Sequence, residues 1–191
     1  MEYGKSIHWR FVAHAIGVDE LERVAPELQR LSSEERWEMY NRRSVYSVNA
    51  PGIPLKIKSK QGVEVEVRFY IINRTAKQLI DDINGSRLHE LQSFLSDNVS
   101  IAKKDGCSVI GFGGFSSIAA NNCRALEIVD GIAVTSGNAL TTGLGFGAML
   151  LGAQKCGLDI ENADAAVIGG AGNIGQVYGA LLAEKVKKVY L

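Results

Sequence analysis

Residues 165–176 read A-A-V-I-G-G-A-G-N-I-G-Q, and no other stretch restricts the backbone of this 191-residue chain so tightly. Ala165-Ala166-Val167-Ile168 is short and apolar enough for a fully buried strand. Gly169, Gly170, Gly172 and Gly175 follow at once. Ile174, Val177, Tyr178, Leu181 and Leu182 then recur at helical spacing, and K-V-K-K-V-Y-L starts a second strand. The glycines parse as 170-172-175 or as 169-172-175, and either version does the same physical work. One permits the tight strand-to-helix turn, one lets a pyrophosphate approach the backbone, and one lets helix and strand pack closely. The helix contributes its N-terminal amides and dipole. Gly-rich turns are common, but between a buried strand and an amphipathic helix the pattern points to a dinucleotide. On that reading Gly169, Gly170, Gly172, Asn173, Ile174 and Gly175 form the cofactor loop; the alternative is a purely structural turn. The position that separates NAD from NADP sits at the end of the second strand. It falls just past Leu191, so the motif leaves both cofactors open.

Composition narrows the partners. Lys+Arg and Asp+Glu balance at 21 each, which gives no electrostatic footprint for nucleic acid or an anionic membrane. The N-terminus lacks the long apolar core of a secretory signal, and the least polar later segment, 139–153, is glycine-broken. A membrane-spanning segment is therefore not expected. The three cysteines, Cys107, Cys123 and Cys156, are odd in number and show no CxxC spacing. Reduced thiols of a cytoplasmic protein are the expectation, with no metal site.

Upstream, strand and helix signals alternate. His8–Ala13 is a first strand. Asp19 and Glu22 have the spacing of a helix N-cap pair, Pro26 breaks that helix, and Ser32-Ser33 caps a second one through Trp37 and Tyr40. From Leu55 to Ile72 the period becomes two on both sides of a Gly turn. The pattern predicts a hairpin with Val63, Val65, Val67, Phe69 and Ile71 on one face, and Lys56, Lys58, Glu64 and Glu66 on a solvated one. Helices are predicted over 75–84 and roughly 86–104, the latter closed by Asp105-Gly106. Strands follow at 108–112 and 131–135. The fold class is α/β with a largely parallel sheet and antiparallel edge strands. An N-terminal α/β substrate-side domain spans 1–136. A linking helix and the first βαβ unit of a Rossmann domain span 137–191.

Two polar loops sit at strand ends, where open α/β sheets place ligands. In the first, Gly113-Gly114-Phe115-Ser116-Ser117, backbone amides and hydroxyls would face the crevice; an ordinary helix N-cap by Ser116 or Ser117 is the alternative. The second, T-S-G-N-A-L-T-T-G-L-G over 135–145, carries Asn138, with Thr141 or Thr142 as the cap of a helix running to Cys156 and ended by Gly157.

Taken together, G-G-F-S-S-I at 113–118, T-S-G-N-A-L-T at 135–141 and G-G-A-G-N-I-G at 169–175 resemble long-chain acyl-acyl carrier protein reductases. The hairpin and the helix entering D-G-C-S-V-I-G-F are similar to that family's N-terminal region. The resemblance implies an NADPH-dependent oxidoreductase of fatty acid metabolism. Acyl carrier protein or a small molecule would bring the substrate, the acyl group would pass to an enzyme cysteine, and hydride would release the aldehyde. It places Gly169, Gly172 and Gly175 in the cofactor loop. Gly114, Ser116, Ser117, Asn138, Thr141 and Thr142 are then the substrate-side residues.

The family's acylated cysteine lies downstream of the glycine loop, so none of the three thiols here takes that role, and the catalytic residues are unknown. Cys123 reads as a buried small hydrophobe, His8 and His14 as satisfied strand histidines, and Arg124 and Glu127 as surface helix residues. T-T-G-L-G-F followed by V-I-G-G-A-G is also similar to shikimate dehydrogenases. Where those enzymes carry a catalytic Asp, this chain has Thr142 after Thr141. A non-catalytic binding fragment is the third reading. One helix between two strands cannot complete a doubly wound sheet, so an incomplete piece of a longer reductase is expected, its uncovered sheet edge inviting self-association.

Overall fold

The computed structural model describes residues 7–17, 46, 48–49 and 54–191, with positions 19, 23, 30–32, 34 and 35. The expectations on Glu22, Pro26, Ser33, Trp37 and Tyr40 lie outside the described residues. Ser32 is described, and it caps as expected: Glu35 N–H donates to Ser32 Oγ at 3.2 Å and Ser32 N–H to the Glu35 carboxylate at 2.7 Å. The chain divides into two compact units, Met1–Ser136 and Gly137–Leu191.

The first unit is built on a mixed, parallel-dominated sheet. β1 (Ile7–Ala15) runs parallel to β4 (Glu64–Thr75) and to β5 (Val109–Phe112), and β5 runs parallel to β6 (Ala133–Thr135). β2 (Val48–Asn49) and β3 (Leu55–Lys58) both pair antiparallel with β4, so the spatial order is β2-β4-β1-β5-β6 with β3 also on β4. The expected hairpin is therefore present at a sheet edge.

Register decides which side chains share a face. Val12, Ile72, Ile110 and Phe112 are fully buried on one face. They form one cluster with Leu79 of α1 (Ala76–Asn84) and Leu91, Leu95 and Val99 of α2 (Leu88–Lys104). Each such side chain contributes about 1.5–3 kcal/mol by leaving water. The principal core is thus opposite the face expected from the 63–71 alternation. Of that expected face, Val67 is buried but Phe69 is 39% exposed. Phe69 packs edge-to-face on Phe11 at 5.6 Å, and the Phe11 ring in turn occupies the space a Cβ at Gly111 would need.

Local signals hold the helices in place. Thr75 and Gln78 form a capping box that starts α1. Gly106, at φ +76°, leaves α2 through the left-handed region, as Asp105-Gly106 predicts. The short α3 (Phe115–Ala119) ends early, and Asn121, Asn122 and Cys123 adopt φ values of 49°, 55° and 68°. Arg124 and Glu127 are exposed as expected, but they lie in the irregular segment after that left-handed run, not on a helix.

Two arginines are buried at opposite ends of this unit. Arg10 donates to Asn98 at 3.0 Å and Asp105 at 3.2 Å and lies 3.6 Å over the Tyr70 ring. Arg74, at the end of β4, is within 3.5 Å of the Asp82 carboxylate, which also accepts from the Tyr46 hydroxyl at 2.9 Å. Burial raises the Tyr46 phenol above its ordinary range, and the hydrogen bond to Asp82 and its negative charge raise it further. Because the folded-state value is raised, the stabilisation is fully present below the ordinary tyrosine range and is lost as pH rises through the folded value. An ultraviolet-monitored titration of the six-tyrosine chain should show one late phase that Tyr46→Phe removes. Tyrosines all ionising together in the native protein would refute this.

In the second unit, α4 (Asn138–Lys155) leads through a 3₁₀ turn at Ile160–Asn162 to β7 (Asp164–Ala166), α5 (Asn173–Ala183) and β8 (Lys188–Tyr190). β7 and β8 are parallel, in register from Asp164↔Lys188 to Ala166↔Tyr190. The strand-turn-helix-strand order is the expected one, but the strand is not fully buried. It ends at Ala166, and Ile168 is fully exposed in the turn. Among the described residues this sheet has two strands, and their side chains are exposed or half-buried. No helix among the described residues is long and apolar enough to cross a membrane.

Candidate functional site

Two places combine strand ends with glycine turns. In the first unit the chain leaving β1 goes to the β4 side, whereas the chain leaving β5 goes to β6 on the other side. The carboxyl ends of β1 and β5 therefore flank a topological switch point, where α/β sheets open a crevice. His14 and Gly113–Ser117 occupy it. Gly113 N–H donates to the Val12 carbonyl at 2.9 Å, and a Cβ at 113 would sit 2.7 Å from the Phe11 ring. Gly114 combines φ 58° with ψ −136°, and a Cβ there would lie 2.5 Å from His14 Nε2. Only glycine fits that conformation and that gap.

The donors of this loop turn inward. Phe115 N–H donates to His14 Nε2 at 3.0 Å, and His14 Nδ1 faces the Ala15 carbonyl at 3.0 Å. The ring is thereby fixed as the Nδ1–H tautomer, with both nitrogens used. Ser116, fully buried, donates its hydroxyl to the Gly113 carbonyl at 2.7 Å, and Ser117 donates to the Gly114 carbonyl at 2.8 Å. Both hydroxyls close the first turn of α3 instead of facing a crevice. Gly114 itself is exposed. The role of His14 as the partner that shapes the glycine pair carries no local sequence signal, because 101 residues separate it from Phe115.

Two of the three thiols are disfavoured as thiolates. Burial raises Cys107, with Asp105 adding to the shift and Arg10 and Arg68 opposing it; burial alone raises Cys123. Cys156 is exposed at the end of α4. Cys107 lies with His8, Trp9, Arg68 and Tyr70 in an open groove of about 580 Å³ at the amino ends of β1 and β4. His8 is exposed, with Nδ1 3.9 Å from Glu66. Among the described residues no three His, Cys, Asp or Glu side chains form a metal-binding group.

The second place is the turn at 169–172. Gly169 has φ +82°, and a Cβ added there meets nothing within 4 Å. It is the glycine the turn requires. Gly172 N–H donates to the Gly169 carbonyl at 2.9 Å, and Gly172 is the N-cap of α5. A Cβ at Gly172 would come 3.3 Å from that carbonyl oxygen. At Gly175 a Cβ would collide with the same oxygen and stand 2.9 Å from Gly170 Cα. The helix start rests directly on the turn. The first turn of α5 carries no acidic residue and no side-chain cap. Ile174, in that turn, is half-buried, and the adjacent Asn173 is exposed.

At the start of α4 the expected cap is displaced. The helix begins at Asn138 behind Gly137, which has φ +73°, so Thr141 and Thr142 lie inside it. Thr141 N–H donates to the Gly137 carbonyl at 3.0 Å, and its side chain is exposed. The buried Thr142 hydroxyl donates to the Asn138 carbonyl at 2.7 Å. The structure thus places Gly114, Ser116 and Ser117 in one unit, and Asn138, Thr141, Thr142 and the glycine turn in the other. No family model matches the chain.

Proposed function

We propose that the chain serves NADPH-dependent reduction of a fatty acyl thioester to an aldehyde, as in long-chain acyl-acyl carrier protein reductases. The carrying observation is the turn at 169–175. Positive φ at Gly169 and the contact of Gly175 on the Gly169 carbonyl bring the start of α5 against a backbone without side chains. A helix start with no side-chain cap and no carboxylate in its first turn suits a diphosphate, because the helix dipole favours negative charge there. The bound cofactor supplies hydride.

The residues of the chain do the positioning. Gly169 and Gly172 keep side chains out of the phosphate approach, and Gly170 and Gly175 set the helix on the turn. Asn138 and the exposed Thr141 at the start of α4 are the substrate-facing polar groups of that unit. Acyl carrier protein is the thioester donor in this reading, and the protein works in the cytoplasm. Cys107, Cys123 and Cys156 are not assigned the acyl-accepting role; burial raises the thiols of Cys107 and Cys123, which disfavours the thiolate.

Gly172→Val is the direct test. Its branched side chain would fill the approach 3.3 Å from the Gly169 carbonyl. Fluorescence titration with NADPH should show saturable binding to the parent chain and none to the variant. Equal affinity of the two would remove the assignment. NADPH oxidation assayed with acyl-carrier thioesters and with dehydroshikimate separates the two reductase chemistries; aldehyde formation is the expected product.

A further inference from the structure

β3 is exposed along its whole length, and among the described residues it pairs only with β4. The register sets Leu55 opposite Val67, Lys56 opposite Glu66, Ile57 opposite Val65 and Lys58 opposite Glu64. Beyond the strand, Ser59 N–H donates to the Val63 carbonyl at 2.9 Å. That bond fixes the phase of the ladder. In an antiparallel pair, hydrogen-bonded positions alternate, so Leu55 and Ile57 direct their backbone groups toward β4. The N–H and C=O groups of Lys56 and Lys58 point outward from the sheet.

The side chains add a chemical preference to this open edge. Lys56 and Lys58 share one face with Glu66 and Glu64, and Lys58 Nζ is 3.3 Å from the Glu64 carboxylate. Leu55 and Ile57, each 49% exposed, occupy the other face. A strand laid on the outer edge would set alternate residues beside the lysines and the remainder beside Leu55 and Ile57. Carboxylates suit the first set and apolar side chains the second, which is the Glu64-Val65-Glu66-Val67 pattern already on the inner side. A second copy of β3 does not suit. Antiparallel self-pairing about Ile57 sets Lys56 against Lys58, and pairing about Lys56 sets that residue against itself. Edge lysines repel most strands in this way, and an acidic one is the exception.

From this juxtaposition of outward backbone groups and alternating lysines we infer that the outer edge of β3 is a strand-addition site for an extended protein segment alternating acidic and apolar residues. Such docking draws affinity from main-chain hydrogen bonds and specificity from alternate side chains. The inference is independent of the reductase reading.

A short fluorescent peptide alternating Glu and Val, capped at both ends, is the probe, read by anisotropy against the full chain. Saturable binding that weakens with salt is expected, with no binding of the Lys/Val counterpart. Lys56→Pro removes an outward donor without touching the ladder to β4, and should weaken binding about fivefold to tenfold. The double replacement Lys56→Glu with Lys58→Glu, at exposed positions, should reverse the preference between the peptides. Absence of binding, equal binding of both peptides, or acidic-peptide binding unaffected by the proline would each overturn the inference.

Discussion

Gly175→Val is expected to abolish the proposed nucleotide binding and to loosen α5 from its turn. Even a single methyl at this position collides with the Gly169 carbonyl oxygen and lies 2.9 Å from both the Gly169 carbonyl carbon and Gly170 Cα. All three obstacles are backbone atoms, which cannot rotate away. Overpacking costs typically run at about 1–3 kcal/mol, and a backbone obstacle belongs at the upper end. Gly152→Ala is the internal control. It is also helical, but its added Cβ meets nothing within 4 Å. Alanine there should be neutral or stabilising by about 0.5–1 kcal/mol, through propensity. Limited proteolysis and NADPH titration of both variants provide the comparison. Gly175→Val and Gly152→Ala behaving alike would show that the close approach has no consequence.

That contrast also marks what a sequence reveals about glycines. The cluster at 169–175 announces a strand-to-helix turn, because closely spaced glycines between periodic segments have few other uses. Which glycine bears the positive φ and which bears the contact depends on atoms several residues away, and spacing alone fits both parsings. Local signals were legible for the same reason. The helix starting at Thr75, the exit at Gly106 and the hairpin at 55–72 each rest on neighbours within a few residues. The misplaced core depends on distance, and the misread loops on local competition. The main core lies on the Val12–Ile72–Ile110 face because helices cover it, and alternation within one hairpin carries no information about where helices go. Ser116 and Ser117 look like crevice donors in the linear text. Their acceptors are the carbonyls of their own turn, a competition open to any serine near a helix start. The expected start of α4 at Thr141 or Thr142 fails similarly. Gly137 adopts a left-handed conformation and takes the N-cap position, so the helix begins at Asn138.

The same dependence on distance governs the largest stability effect expected in the first unit, at Asp82. Its side chain is 12% exposed and stands within 3.5 Å of Arg74, whose own side chain is only 3% exposed. Arg87 approaches the other carboxylate oxygen at 3.8 Å, and the Tyr46 hydroxyl donates at 2.9 Å. Asp82→Ala removes a largely enclosed carboxylate and leaves the buried Arg74 guanidinium without it. Breaking a buried pair from one side costs about 3–5 kcal/mol, far more than an exposed pair such as Arg87–Glu90. Asp82→Asn separates charge from hydrogen bonding, since its amide oxygen still accepts from Tyr46 while the charge opposite Arg74 is gone. Urea unfolding should therefore rank the parent above Asn and Asn above Ala. Tyr46 gives a second readout on the same variants. Burial is the largest cause of its raised value and Asp82 contributes the rest. The late tyrosine phase should move toward the ordinary range in Asp82→Ala without reaching it. A fall in stability below about 1 kcal/mol, the ceiling for a surface pair, together with an unmoved Tyr46 titration, would mean that this carboxylate does not hold the end of β4 to α1.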